Sequence, residues 1–97
     1  MLLLALQQNP NQQISVNLLN IDCVICIRQF YGFMTFSLTA DGVSIIENRR
    51  IFNNTKLLMN NFPGEFFFLD SQGNSDPDFT LPNFSQRFQL YFYEKTN

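Results

Sequence analysis

Two cysteines three apart, Cys23 and Cys26, and an acidic run holding Asp70, Asp76 and Asp78 are the residues whose types and spacing could do chemistry. A tetrahedral zinc site would need two further nitrogen or sulfur ligands, and the chain has no His and no other Cys. A redox pair belongs at the start of a helix in a βαβ setting, whereas these cysteines lie in the β-branched run Cys23-Val24-Ile25-Cys26-Ile27. On a strand, positions three apart point to opposite faces, so the pair cannot converge without a bulge. Both read as buried, reduced, inert thiols. The segment Asp70-Ser71-Gln72-Gly73-Asn74-Ser75-Asp76-Pro77-Asp78 could offer oxygen ligands to a hard cation such as calcium. It lacks the closing bidentate Glu and the flanking helices of an EF-hand. The stronger expectation is a long turn, with Asp70 and Asp76 accepting backbone N–H bonds, Gly73 at positive φ and Pro77 stiffening the exit.

Catalysis has little to draw on. Without His there is no Ser-His-Asp or Cys-His pairing. A glycosidase needs one acid in an apolar pocket beside a sugar-binding cleft. Here three acids crowd one loop, and Glu47 and Glu65 sit where strand ends carry solvated charge. The expectation is a protein that is not an enzyme, with no catalytic residue, no metal and no cofactor.

These residues must be positioned by a single domain spanning 1–97, because the chain is too short for a second core. Twelve Phe against 14% charged residues rule out a disordered chain. They also leave more aromatic area than so small a core can hide, which a subunit would bury against neighbours. The net charge of −2, with Arg49-Arg50 as the only adjacent basic residues, excludes a specific nucleic-acid grip. Met1-Leu2-Leu3-Leu4-Ala5-Leu6 lacks the basic flank and the length of a signal sequence, and no stretch reaches the roughly 20 apolar residues of a membrane span. It reads as an opening β-strand of a protein made in the cytosol, with no membrane partner.

Strand signals dominate the rest. Ile14, Val16 and Leu18 alternate with Ser15 and Asn17; Asn20-Ile21-Asp22 offers a turn; Cys23 to Phe30 forms the next strand. After Gly32, Phe33 to Leu38 places Met34, Phe36 and Leu38 on one face. Asp41-Gly42 is a tight-hairpin pair, and Val43 to Ile46 returns from it. Residues 47 to 62 leave helix and strand open, with Thr55 to Asn61 fitting either. Glu65 to Asp70 is a strand apolar on both faces, central in a sandwich or covered by another chain. Residues 71 to 83 are loop, and Arg87 to Tyr93 closes the domain. The expectation is an all-β, mainly antiparallel fold, a small sandwich or open barrel of six to seven strands with little helix.

The stretch Gly64-Glu65-Phe66-Phe67-Phe68-Leu69-Asp70-Ser71-Gln72-Gly73, followed by Asp76-Pro77-Asp78-Phe79, resembles the phage baseplate plug family. That family has a Gly-acid-aromatic strand, an Asp-(Ser/Thr)-Gln-Gly turn and an Asp-Pro-aromatic or Asp-Pro-x-aromatic sequence. Arg87 to Glu94 is similar to its aromatic terminal strand, Glu47-Asn48-Arg49-Arg50 to its Asn-Arg-rich segment, and Leu6 to Gln12 to its opening. Leu81-Pro82-Asn83-Phe84 departs from the expected Gly-rich link, and Pro63 precedes the glycine.

The resemblance implies a structural subunit in the baseplate of a contractile phage tail, in the virion, plugging or adapting the distal end of the tube. Its implied partners are hub, tube and spike proteins, with the tape measure protein a further candidate, and copies of itself in a ring. On that reading Arg49, Arg50, Asp70, Gln72, Asp76 and Asp78 are the candidate interface residues, and Phe66, Phe68, Phe88, Leu90 and Phe92 are core. The alternative is a β-sandwich module that binds a carbohydrate or peptide, and either could be stabilised by calcium.

Overall fold

The computed structural model describes residues 1–57 and 59–95. Eight strands are present among them: β1 Leu2–Leu4, β2 Asn11–Leu18, β3 Ile21–Gln29, β4 Met34–Ala40, β5 Val43–Arg50, β6 Lys56–Leu57, β7 Gly64–Asp70 and β8 Phe88–Glu94. One helical turn, α1 at Phe84–Arg87, precedes β8. The strands form two sheets of four, ordered β1-β8-β7-β6 and β2-β3-β4-β5, with every pair of neighbouring strands antiparallel. The expected all-β class holds, as a sandwich and not a closed barrel.

Alternation builds the core. Cys23, Ile25 and Ile27 of β3 and Met34, Phe36, Leu38 and Ala40 of β4 point inward from one sheet. Phe66 and Phe68 of β7 and Phe88, Leu90 and Phe92 of β8 meet them from the other, and all five are buried as expected. The Phe36 ring joins the layers, with centroids 5.1 Å from Phe66 and 6.2 Å from Phe68. Such tilted and edge-on pairs match the quadrupoles of aromatic rings.

The first sheet is a meander. Asp41 and Gly42, at φ 48° and 81°, close β4–β5 with the two-residue turn their types favour. The β2–β3 turn lies one residue earlier than Asn20-Ile21-Asp22 suggested. Leu19 and Asn20, at φ 52° and 63°, form it, and Ile21 already pairs with Leu18. Core register overrides turn preference here, because a one-residue slip would expel Cys23, Ile25 and Ile27.

Among its described residues the ambiguous middle is strand at 47–50 and 56–57 and otherwise irregular, with Asn54 and Asn61 at positive φ. Residues 47–50 continue β5 past two register shifts, and the short β6 accounts for the strand beyond the expected six to seven. Leu58, inside the segment where helix was also weighed, lies outside the described residues. β7 lies between β6 and β8, so its inward Phe66 and Phe68 are fully buried, while outward Phe67 and Leu69 are half-buried. Phe67 stacks on Tyr91 at 5.2 Å across the outer face. Among the described residues no helix is long and apolar enough to cross a membrane.

A candidate interface site at one end of the sandwich

The cysteines part as strand geometry requires. Cys23 is buried in the core, and burial pushes its thiol pKa up. Cys26 faces outward and is half-buried, which corrects the expectation that both were buried; it lies opposite Gln13 and Ser37 on the outer face. Among the described residues no three His, Cys, Asp or Glu side chains converge as a metal site.

The acidic loop is organised around Asp70, the last residue of β7. Its covered carboxylate accepts two hydrogen bonds from Arg87, Nε to Oδ1 and Nη2 to Oδ2, each 2.8 Å. It also accepts the Gln72 N–H at 2.9 Å and the Ser75 N–H at 2.9 Å. The Arg87 guanidinium, helped by these two N–H groups and opposed by desolvation, holds the Asp70 carboxyl well below the usual carboxylate range. Arg87 was expected to open the last strand and instead ends α1. There its carbonyl accepts both the Ser71 N–H and the Ser71 hydroxyl.

Gly73 does not take the positive φ expected of it. Its reason is space: a Cβ there would lie 3.3 Å from both Arg87 Nη2 and Asp70 Oδ2. Asp76 receives the Asn53 N–H at 2.8 Å, while the Asn53 side-chain oxygen receives the Asp70 N–H at 2.8 Å. Asp78 caps the next turn by accepting the Thr80 N–H and hydroxyl. The three carboxylates thus serve separate backbone donors, as in the long turn anticipated from Asp70 and Asp76.

Asn53 ties this loop to β5, and so brings the two groups of candidate residues to one end of the molecule. Arg49 and Arg50 are exposed at the close of β5. The Arg50 guanidinium lies over the rings of Phe33 and Phe52, at 4.8 Å and 5.1 Å from their centroids. Phe30 stacks on Phe33 at 5.7 Å, and the hairpin tip presents Tyr31 fully to solvent. Gln29 links this tip to the acidic segment, its side-chain oxygen accepting the Phe79 N–H at 2.8 Å.

The end therefore offers exposed Phe30, Tyr31 and Phe52, an arginine held by ring stacking, and the exposed Gln72 and Asp76, with Asp78 half-buried. Asp70 differs from its fellow candidates: its carboxylate is turned inward and shapes the loop. Sequence reasoning did not single out Phe30, Tyr31 and Phe52. The available signal was Phe-Tyr-Gly-Phe at a strand break, where large rings have no place in a core. Enclosed chemistry is absent from this arrangement, and its exposed aromatic and arginine groups are those enriched where proteins meet proteins.

Comparison with known proteins adds one finding that spans nearly the whole chain. A family model described as the cyanophage baseplate Pam3 plug gp18 matches residues 1–95. No curated protein matches the chain.

Proposed function

The chain belongs to the family of the cyanophage baseplate Pam3 plug gp18, and from that membership we propose that it is the subunit that closes or adapts the distal end of a contractile tail tube, beside hub and spike. Its place is the virion tail baseplate and its role there is structural. The match over residues 1–95 is the observation that carries this reading. Mechanism on this proposal is mechanical: many individually modest contacts hold the plug before infection and yield when the sheath contracts, without catalysis.

The arginine–aromatic end supports the proposal because it presents contact groups on a rigid frame. Tyr31, Phe30, Phe52 and the stacked Arg50 supply desolvating area, while Arg49, Gln72, Asp76 and Asp78 give the rim that sets register. Asp70 contributes by holding the loop in shape. Hub, tube and spike proteins, the tape measure protein and further copies in a ring are the partners proposed.

Co-expression with the neighbouring tail proteins, followed by light scattering of the purified material, tests this. The expected result is a stable complex or a ring-sized mass. Tyr31→Ala combined with Arg50→Ala should weaken it about tenfold or more, the scale of an interface hot spot, while leaving the thermal transition in place. A monomer that binds none of these proteins overturns the proposal, and would turn attention to small ligands at the aromatic end.

A further inference from the structure

The edge of a β-sheet is a row of unpaired N–H and C=O groups, and folded proteins blunt such rows with charge, bulges, proline or brevity. Among the described residues the sandwich has four edge strands, and three are blunted. β1 has three residues and β6 two. β5 carries Glu47, Arg49 and Arg50, its register on β4 shifts twice, and Asn48 sits at φ 48°. β2 has none of these devices. All eight of its residues, Asn11–Leu18, pair in unbroken register with β3, and none is charged, proline or glycine. At about 3.3 Å per residue this is an edge of roughly 26 Å.

The turn reveals which groups are open. A two-residue hairpin closes on a hydrogen-bonded pair, here Leu18 with Ile21. Counting back by twos, Val16, Ile14 and Gln12 direct their N–H and C=O to β3. Asn17, Ser15, Gln13 and Asn11 direct theirs to the open side. Inward-facing Ile14 and Val16 are only half-buried at this edge. Beside it, Met1 and Leu2, exposed by 85% and 46%, share a groove with Asn17, Leu18 and Leu19.

We propose that β2 pairs antiparallel with β2 of a second copy of this chain, joining two four-stranded sheets across a two-fold axis. The partner follows from the other edges. If a copy of this chain supplies the strand, β1 and β6 are too short and β5 is bulged and charged, so only β2 matches β2 in length and regularity. An uncharged strand brings no like charges opposite each other when it meets itself. Two identical edges pair by an isologous, closed contact. Of the registers that suit the open groups and keep Ile14 and Val16 on the core side, two overlap most of the strand, with Ile14 opposite Ile14 or Ser15 opposite Ser15. In both, the half-buried Ile14 and Val16 gain cover, and Asn, Gln and Ser side chains oppose one another on the outer face. The pairing uses a different surface from the arginine–aromatic end and does not require the plug assignment.

The test is the mass of the purified full chain by light scattering. The expected mass is twice the 11.3 kDa of one chain, or an even multiple of it. Ser15→Pro removes an N–H that faces the open side and costs the β2–β3 ladder nothing, so the mass should fall to one chain while circular dichroism and the cooperative melt persist. Val16→Pro, which removes a donor to β3, should instead unfold the domain. Ser15→Lys should also give the single-chain mass, and an equal mixture of Ser15→Lys with Ser15→Glu should recover the pair. Should Ser15→Pro fail to fold, the two charge variants carry the test alone. A monomeric wild-type chain overturns the inference, as does an oligomer that a folded Ser15→Pro or Ser15→Lys leaves intact. A chain monomeric alone, whose complex with a tail protein is lost in Ser15→Pro, also overturns it and assigns the edge to a foreign strand.

Discussion

At the scale of the residue, Asp70 and Arg87 form the polar joint on which the loop depends. Removing the guanidinium would leave a fully covered carboxylate with two backbone donors, so Arg87→Ala should lower the urea midpoint at neutral pH. The pH dependence has a definite sign. The folded carboxyl titrates below its unfolded value, so its stabilisation is present in full above about pH 5 and is lost as pH falls through 4 toward the depressed folded value. Urea midpoints taken down that range should drop for the wild type and drop less for Arg87→Ala. Gly64 makes a second residue-scale case. A Cβ at Gly64 would overlap the Phe92 ring, which Phe62 and Phe66 already flank. Gly64→Ala should therefore destabilise by about 1–3 kcal/mol, and an unchanged melt would mean the ring can yield. Thiol labelling gives a third check: Cys26 should react in the folded protein and Cys23 only on unfolding.

At the scale of the element, the β2–β3 turn carries a conflict that the β4–β5 turn avoids. Both central residues of each turn have positive φ, which Asp41-Gly42 accommodates and Leu19 does not. Leu19→Asn should raise Tm by about 4 °C, equivalent to roughly 0.5–1 kcal/mol in a domain of this size. A fall in Tm would mean that the apolar cover Leu19 gives the groove it shares with Met1 and Leu2 outweighs the backbone strain. The edges pose the complementary question. β5 shows how this fold protects an edge, by bulge and charge, so the unprotected regularity of β2 stands out within the same sheet.

At the scale of the whole molecule, a chain with 14% charged residues presents aromatic and amide surface to its surroundings. Assemblies built on such surface should persist at about 1 M salt, where the Debye length is near 3 Å and exposed ion pairs are screened. Scattering mass followed against salt checks this. Dissociation would shift the weight from stacked Arg50, Tyr31 and Phe52 to ion pairs of Arg49, Asp76 and Asp78. The same composition explains why one small domain can serve as a structural part of a larger body: apolar outer groups such as Phe67 and Tyr91 are half-covered alone and can be fully covered only by neighbours.

Alternation, a period of two, was enough to read most of this fold from the residues, because in a sandwich each inward position must be apolar whatever its strand order. It placed Met34, Phe36 and Leu38 and the divergence of Cys23 from Cys26, while the Asp41-Gly42 pair marked its own turn and the five core residues of β7 and β8 followed from the family resemblance. The motif from Gly64 to Pro77 was enough for the family, and the side-chain types of Asp70 and Asp76 for their roles as backbone acceptors. Contacts distant in sequence lay beyond that reach. Asn53 meets Asp76, Gln29 meets Phe79 and Gln8 meets Ser85 across spans that no local pattern encodes. Leu19 entered a turn because core register outweighs local preference, and Arg87 turned helical because Asp70 and Ser71 claim its two ends. Which rings of the open segment 47–62 are core and which are left at the surface was likewise settled in three dimensions: Phe52 and Phe62 carry no local pattern that separates them, yet only Phe62 is buried.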